Sequence, residues 1–324
     1  MTTPAARNAR AEANALLPPG HEARVLEPSP PANPDPDWYA DDPTDPEGAT
    51  GTIVTPIPGE GITWTELAAS RSELTEFAAQ RWLGSYRRLE ELPAQFREGR
   101  DALHQLAYFA VAPKRYEQTG KLALRYTHGG FGTPFFGADE QVRVHHNSLI
   151  RQHGDIARWI PITTLRAATD FLGIRYQDIW FDGFRDPLGP VGADVPLSVD
   201  PAVTTAVGDW FGFGTSVLEQ ARRLPGAEEV SRVQLWPEHF DTAVEMGSHD
   251  LGRRAGYGAS PGDEAHPEPY LYVAAWGEID RSDGYWNDEN FNGASLSYRS
   301  LLAAGDQRET ALAFFRQGFD RLTG

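Results

Sequence analysis

Apolar residues recur at helical spacing in two segments after residue 60. Between residues 63 and 92, leucine, phenylalanine and tryptophan side chains follow one helical face, and Pro93 ends the pattern. A second segment, residues 96–116, has the same character, and Pro113 is expected to stop or kink it because proline lacks a backbone N–H. The hydrophobic pattern therefore predicts two amphipathic helices in this part of the chain.

Beyond residue 120 the period changes from helical to alternating. Apolar and polar residues alternate in three segments, as in strands with one buried face, and a glycine-rich loop separates the first two. His145 and His146 are consecutive in the second segment, so a strand would direct their side chains to opposite faces and keep them from sharing a ligand. The predicted strands are residues 122–128, 141–153 and 157–162.

A similar order of elements follows in the second part of the chain. A threonine-capped helix that ends at Gly173 closes the first part, and a connection rich in proline and glycine spans residues 175–199. Asp200 followed by Pro201 is typical of a helix start. This helix is predicted to continue to about residue 223. Three strands and two helices are then predicted, at 232–236, 240–247, 269–276, 294–304 and 307–322.

These elements predict an α+β fold made of two related halves, 61–174 and 200–324, joined by the connection 175–199. Each half is expected to contain a small, mainly antiparallel sheet covered by helices. We expect residues 61–324 to form a single compact domain.

Residues 1–60 have a different composition from the rest of the chain. They combine recurrent prolines with acidic residues, and neither favours regular structure. We therefore expect a disordered N-terminal tail. The alternative is an arm that docks through Trp38 and Tyr39.

Charge and composition narrow the classes of function. The 324 residues carry a formal net charge of -17, which disfavours binding to nucleic acids or anionic membranes. The absence of cysteine excludes disulfides, thiolate metal sites and a cysteine nucleophile. The chain has no apolar run of membrane-spanning length, and residues 1–17 lack the apolar core of a secretory signal. Together these features predict a soluble, acidic, cytoplasmic protein.

Aromatic and ionisable residues are concentrated between Leu235 and Tyr298, among many glycines and prolines. Loops of this composition adopt defined conformations, and binding sites often lie on such loops. We therefore predict one concave pocket formed by the bend 236–241, the loop 258–268 and the loop 286–293. Its candidate ligand-binding residues are Trp236, His239, Glu264, His266, Glu268 and Trp286, and its candidate catalytic residues are His239, Asp241 and Glu264.

Two sets of side chains in this stretch offer nitrogen and oxygen ligands for a metal. Residues two apart in an extended segment share a face, so each set could converge on one ion. Neither set matches an established metal motif, and no metal is assigned. The sets are His239, Asp241 and Glu245, and Glu264, His266 and Glu268.

Other chemistries have weaker support. The adjacent acids Asp263–Glu264 and Asp288–Glu289 suit acid–base work if they are partly buried, although such pairs are more typical of solvated turns. Ser260 resembles the nucleophile of a GxSxG elbow, but Pro261 removes the backbone N–H that an oxyanion hole needs. The glycine-rich segment 128–136 lacks the spacing of nucleotide-binding motifs, so no cofactor is implied.

Several segments resemble a family of actinobacterial proteins of unknown function, namely QLWPEHFDTAVEMG, YGASPGDEAHPEPYLYV and WNDENFNGASLSY. The resemblance extends back through RYTHGGFGTPFF and PITTLRAATDFLGI and covers residues 60–320. The order LHQL, RYTHGGFGT, HFD and PEPYLY is similar, more remotely, to a widespread domain family of unknown function. The tryptophan-rich first half of that family has no counterpart here. Neither resemblance implies an activity, a ligand or catalytic residues.

The leading hypothesis is a small-molecule-binding protein, or an enzyme, with an aromatic and acidic pocket. Flat aromatic rings beside carboxylates would suit a sugar-like ligand. One alternative is a metal-dependent hydrolase. The other is an interaction or dimerisation module in which the same aromatic loops form a flat patch.

Overall fold

The computed structural model describes residues 22–24, 88–127, 130–134, 136–137, 140–153, 156–178, 192–231 and 233–324. The predicted tail lies outside the described residues except for 22–24. The predicted helix 63–92 lies outside them except for 88–92.

The described part contains six α-helices and eleven strands. The helices are α1 (Phe96–Leu106), α2 (Ala112–Thr119), α3 (Leu165–Leu172), α4 (Pro201–Ala221), α5 (Tyr298–Ala303) and α6 (Gln307–Thr323). The strands are β1 (Glu22–Arg24), β2 (Arg125–Thr127), β3 (Gly130–Gly132), β4 (Glu140–His145), β5 (Ser148–His153), β6 (Ile156–Pro161), β7 (Gln234–Trp236), β8 (Asp241–Met246), β9 (Ala255–Ser260), β10 (Tyr270–Ala275) and β11 (Gly293–Ser297).

The strands form two antiparallel sheets of closely similar topology. The first has the order β1-β6-β5-β4-β3-β2 and the second β11-β10-β9-β8-β7. In each half, a helix precedes a meander of five strands and a helix follows it. The first strands of the two meanders meet at Leu124 and Leu235, whose backbones exchange hydrogen bonds of 2.7 and 2.9 Å. The predicted α+β fold with two related halves is therefore confirmed.

Helix α4 joins the cores of the two halves. It begins as predicted, with Asp200 accepting a hydrogen bond from the Ala202 N–H at 2.7 Å, and most of its side chains are buried. Phe211 is fully buried, and its ring meets Phe131 of the first sheet and Phe240 of the β7–β8 turn edge to face. Since α4 touches strands of both sheets, the apolar core is continuous through the described part.

Two helix predictions need revision. Residues 88–92 are not helical, because the Leu89 backbone N–H and C=O both bond the side chain of Gln307, 218 positions away. Pro113 does not end the second helix. A π-helical turn, Ala107–Val111, separates α1 from α2, and it shifts the hydrogen-bond pattern just before the proline. The helix capped by Thr164 and ended by Gly173 is confirmed.

The strand predictions missed turns and glycine-rich strands. The predicted strand 141–153 is two strands, with His146 in the left-handed region (φ 53°) at the turn between them. The rings of His145 and His146 therefore stack, with centroids 4.1 Å apart, so the prediction of opposite faces was wrong. Residues 255–260 form β9 although glycine disfavours strands. Residues 294–297 were predicted as helix but belong to β11. The helix α5 begins only at Tyr298, because the Ser297 side chain caps it there.

Candidate functional site

The second sheet has two chemically different faces. Val244 of β8 and Leu271 of β10 belong to the hydrophobic core. Side chains alternate along a strand, so Asp241, Tyr270 and Tyr272 project from the opposite face, which we call the outer face. Asp241 and the two tyrosines therefore lie on the same side of the sheet.

Tyr272 lies across the neighbouring strand at Gly258. A Cβ at position 258 would overlap the Tyr272 ring, so glycine is required for this close approach. The Tyr272 hydroxyl donates to the carboxylate of Asp241, which is only 5% exposed. The sequence pattern correctly predicts that Asp241 points away from the core. It also predicts a solvent-exposed side chain there, whereas Asp241 is buried.

His266 belongs to the β9–β10 loop and lies between two carboxylates, Asp263 of the same loop and Asp288 of the β10–β11 loop. Its Nε2 is 2.9 Å from Oδ2 of Asp288, and its Nδ1 is 3.5 Å from Oδ1 of Asp263. The His266 backbone N–H also donates to Oδ1 of Asp263 at 2.7 Å. The imidazole is 21% exposed, whereas the Asp288 carboxylate is 2% exposed. The ring orientation is thus set by the protein while part of the ring stays accessible.

Aromatic rings surround this histidine. The Tyr270 ring stacks on His266 with centroids 4.3 Å apart, and the Tyr270 hydroxyl donates to Oδ2 of Asp263 at 2.6 Å. Phe291 approaches both His266 (6.3 Å) and Tyr272 (6.1 Å). Burial, reinforced by the Asp263 charge, raises the pKa of Tyr270, so its phenol stays neutral. We call this group the outer-face cluster: Asp241, Asp263, His266, Tyr270, Tyr272, Asp288 and Phe291.

Asp288 is held in its charged form. Burial alone would raise its pKa, but hydrogen bonds from the Ser295 side chain and the Asn290 N–H, together with His266, hold the pKa of Asp288 below its ordinary value. The prediction of a solvated turn was therefore wrong for Asp288.

Helix α1 anchors the two loops that carry the cluster. Arg100 donates from Nη1 to the Pro267 carbonyl at 3.3 Å, and one helical turn later Nε2 of His104 lies 3.0 Å from the Pro237 carbonyl. Both side chains are buried. The β7–β8 turn and the β9–β10 loop therefore take their positions from the same helix.

Each anchored segment contains a residue in the left-handed backbone region. Phe240 has φ 55°, which is unfavourable for a bulky side chain, and its ring stacks on His104 at 5.1 Å. Gly262 has φ 104°, and a Cβ there would overlap Arg100 and lie 2.8 Å from the His266 carbonyl oxygen. In the same turn as Phe240, burial raises the pKa of Glu238. Packing holds these conformations and so directs Asp241 and His266 to the outer face.

The structure brings some of the predicted site residues together. His266 and Asp241 belong to the outer-face cluster. Trp236 pairs with Asp241 across the β7–β8 ladder, and His239 is partly exposed in the turn between them. Glu264 is exposed on the same loop as His266.

The other two predicted residues lie elsewhere. Trp286 is 6% exposed and belongs to the hydrophobic core, where its ring meets Tyr285. Glu268 forms an ion pair of 2.6 Å with Arg299 of α5. Sequence reasoning missed Tyr270, Tyr272 and Phe291. The alternation of β10 carried the signal for the two tyrosines, because it predicts that they share a face.

Two of the surface clefts formed by described residues contain none of Trp236, His239, Glu264 and Trp286. The first, of about 320 Å³, lies between residues 91–97, Glu268 and α5. The second, of about 390 Å³, lies between the β10–β11 loop, β11 and α6. In the ranges that the structure describes, no three His, Asp or Glu side chains converge as metal ligands, and no helix has the length and apolar character of a membrane span.

Comparison with known proteins gives no match to a protein-family model, a curated protein or a solved structure. The geometry of the outer-face cluster is therefore the basis for a functional proposal.

Proposed function

We propose that this protein binds a small polar molecule at the outer-face cluster, with His266 as the contacting group. The observation that carries the proposal is the partly exposed imidazole held between Asp263 and Asp288. A surface histidine without a role needs no such orientation, whereas a fixed imidazole loses little conformational freedom when a ligand binds.

The surroundings of His266 favour a ligand with polar and flat or apolar parts. Tyr270, Tyr272 and Phe291 offer ring faces and edges, and the Asp263 carboxylate is 24% exposed. Within the described part, no lysine or arginine forms an ion pair with the Asp263 or Asp288 carboxylate, and Arg281 donates only to the main-chain carbonyls of Asp288 and Phe291. A ligand that donates hydrogen bonds or carries a positive nitrogen therefore fits the cluster better than an anion.

One observation also favours an enzyme. A nearly buried carboxylate that bonds one imidazole nitrogen is the arrangement that orients histidine for proton transfer. Asp288 has this relation to His266, so we propose acid–base catalysis as a second candidate function, which requires a movement that exposes Nδ1 from its buried position beside Asp263. The metal-dependent hydrolase and the interaction module stay hypotheses from the sequence. A chelator-induced shift in Tm would support the first, and sedimentation as a dimer at micromolar concentration would support the second.

The test is a fragment screen followed through the histidine resonances. Polar fragments are titrated into the full chain, and the imidazole signals are recorded by NMR. We expect the hits to shift the His266 resonances and the His266→Ala variant to bind them at least about tenfold more weakly, because the ring contact is lost and the Asp263 and Asp288 carboxylates lose the imidazole that orients them.

His153→Ala is the matched control, because His153 is an exposed histidine on β5 of the other half. It should bind the fragments as the wild type does. Hits that bind His266→Ala with unchanged affinity, or a screen without hits near His266, would contradict the proposal.

A further inference from the structure

The first of the two clefts lies beside α5 and has charged groups at its rim. We call it the charged cleft. It is bounded by residues 91–97, by the end of the β9–β10 loop and by α5, and its volume of about 320 Å³ is within the range of small-molecule sites. Its lining combines apolar, acidic and basic side chains, so the arrangement of these groups indicates which ligand would fit.

The floor of the charged cleft is apolar and held in place. Phe96 and Tyr298 are 4% and 5% exposed and belong to the hydrophobic core. Leu92 and Leu302 are partly buried and pack against that core. The Tyr298 hydroxyl donates to the Glu90 carbonyl at 2.8 Å, so the segment that leads to α1 is fastened to α5. Such a floor can accept an apolar group without rearranging, which lowers the cost of binding.

The lining of the charged cleft includes two acids and two bases. Glu268 and Arg299 neutralise each other, because Nε and Nη2 of Arg299 donate to the two carboxylate oxygens of Glu268 at 3.1 and 2.6 Å. Glu91 and Arg97 are also exposed, but within the described ranges neither side chain forms a hydrogen bond or an ion pair. One negative and one positive group are therefore available to a ligand.

The two available charges belong to different parts of the cleft lining. Arg97 lies on α1 one turn before Arg100, which bonds the Pro267 carbonyl, so this side of the helix faces the β9–β10 loop. Glu91 precedes the helix and lies towards α5. The hydrogen bond and charge of Glu268, with a smaller contribution from the charge of Glu91, raise the pKa of Arg299. A ligand in the cleft can therefore meet a positive and a negative group at separate points.

We infer that the charged cleft binds a zwitterionic amino acid with an apolar side chain. The ligand carboxylate pairs with Arg97, its ammonium group pairs with Glu91, and its side chain lies on the apolar floor. A ligand with only one of the two charges would leave either Glu91 or Arg97 without a partner. The inference goes beyond the function proposed for the outer-face cluster, because it uses none of the side chains of that cluster.

The probes are leucine and phenylalanine, each with its N-acetyl derivative, which lacks the ammonium group, and its amide, which lacks the carboxylate. Each probe is titrated into the full chain by calorimetry and by saturation-transfer NMR. We expect saturable binding of at least one amino acid, and at least about tenfold weaker binding of both its derivatives, because each has lost one ion pair. The net charge of -17 attracts the cationic amide, so its weaker binding would report specifically on Arg97.

Two variants separate the two ion pairs. Arg97→Gln should weaken binding of the amino acid by about tenfold and leave binding of its amide unchanged, because the amide has no carboxylate to lose a partner. Glu91→Gln should weaken binding of the amino acid by a similar factor and leave binding of the N-acetyl derivative unchanged, because that derivative has no ammonium group. Both positions are exposed, so both variants should fold.

Arg316→Gln and Glu117→Gln are the matched controls, since these residues are exposed on α6 and α2 and do not line the charged cleft. Both should bind the amino acid as the wild type does. The inference is overturned if neither amino acid binds, if a derivative binds as tightly as its parent amino acid, or if Arg97→Gln or Glu91→Gln binds the amino acid like the wild type.

Discussion

At the scale of single residues, the buried carboxylates are the most informative groups. Asp241 and Asp288 are 5% and 3% exposed, and an ionised carboxylate is unfavourable in such surroundings unless donors surround it. Tyr272 provides a donor for Asp241, while Asp288 receives donors from His266 and Asn290. Retaining a buried charge at Asp288 is consistent with a binding role, because an apolar residue would pack there at a lower desolvation cost.

Asp288→Asn tests this charge at the residue level. The variant should unfold with a free energy about 1–3 kcal/mol lower than the wild type at neutral pH, because a charge-assisted bond to His266 is lost. The folded-state pKa of Asp288 is depressed below its ordinary value of 3.8, so this stabilisation exists above that pH and disappears as the pH falls through the folded pKa.

Urea unfolding at neutral and acidic pH measures both effects. The neighbouring exposed Glu289, changed to Gln, should alter stability by no more than about 0.5 kcal/mol at either pH. A stability gap between wild type and Asp288→Asn that stays constant down to strongly acidic pH would refute the assignment of a depressed pKa.

At the scale of elements, helix α1 and the two loops act as one unit. Arg100 and His104 bond the Pro267 and Pro237 carbonyls, so the loops cannot shift independently of the helix. Gly262 is the residue that lets the β9–β10 loop approach Arg100. The placement of His266 therefore depends on contacts made by a helix about 160 residues earlier in the chain.

Gly262→Ala tests this coupling. We expect a loss of about 1–3 kcal/mol in the free energy of unfolding, because the left-handed φ and the overlap with Arg100 both oppose a Cβ. Fragment binding at His266 should weaken as well, because the loop must move. Gly305→Ala is the control, since no atom lies within 4 Å of its added Cβ and its φ is not left-handed. Unchanged stability and binding in Gly262→Ala would count against the coupling.

At the scale of the whole molecule, α4 and the contact between β2 and β7 connect the two halves. The Phe211 ring touches Phe131 of the first sheet and Phe240 of the β7–β8 turn, and the Leu124–Leu235 bridge brings the sheets edge to edge. Neither half can complete its core without this helix. We therefore expect the described part of both halves to unfold together.

Phe211→Ala should destabilise both halves at once, by about 3–5 kcal/mol, because it removes a large buried ring. Hydrogen exchange followed by mass spectrometry would report on peptides from β4 and β9 separately. We expect equal loss of protection in both. Tyr116→Ala, at an exposed position on α2, should leave protection in both sheets unchanged. Loss confined to one sheet would show that the halves unfold independently.

Local patterns in the sequence were sufficient for many elements. Asp200 and Thr164 cap helices, Gly173 ends one, and the alternation of β8 and β10 matches the observed strands, because these signals act between residues near in the chain. The approximate location of a candidate site, between residues 235 and 298, also came from composition.

The tertiary structure alone decided which of those residues meet. His266 joins Asp288 across 22 positions, Trp286 turns into the core, and Glu268 pairs with Arg299. Strand order, register and the helix packed beneath determine these contacts, and no local spacing encodes them. The glycine-rich strand β9 escaped prediction for the same reason, because it depends on Tyr272 of the neighbouring strand. The sequence by itself therefore determined most of the helices and strands and the types of side chain available, whereas tertiary packing decided which of those side chains form the candidate site.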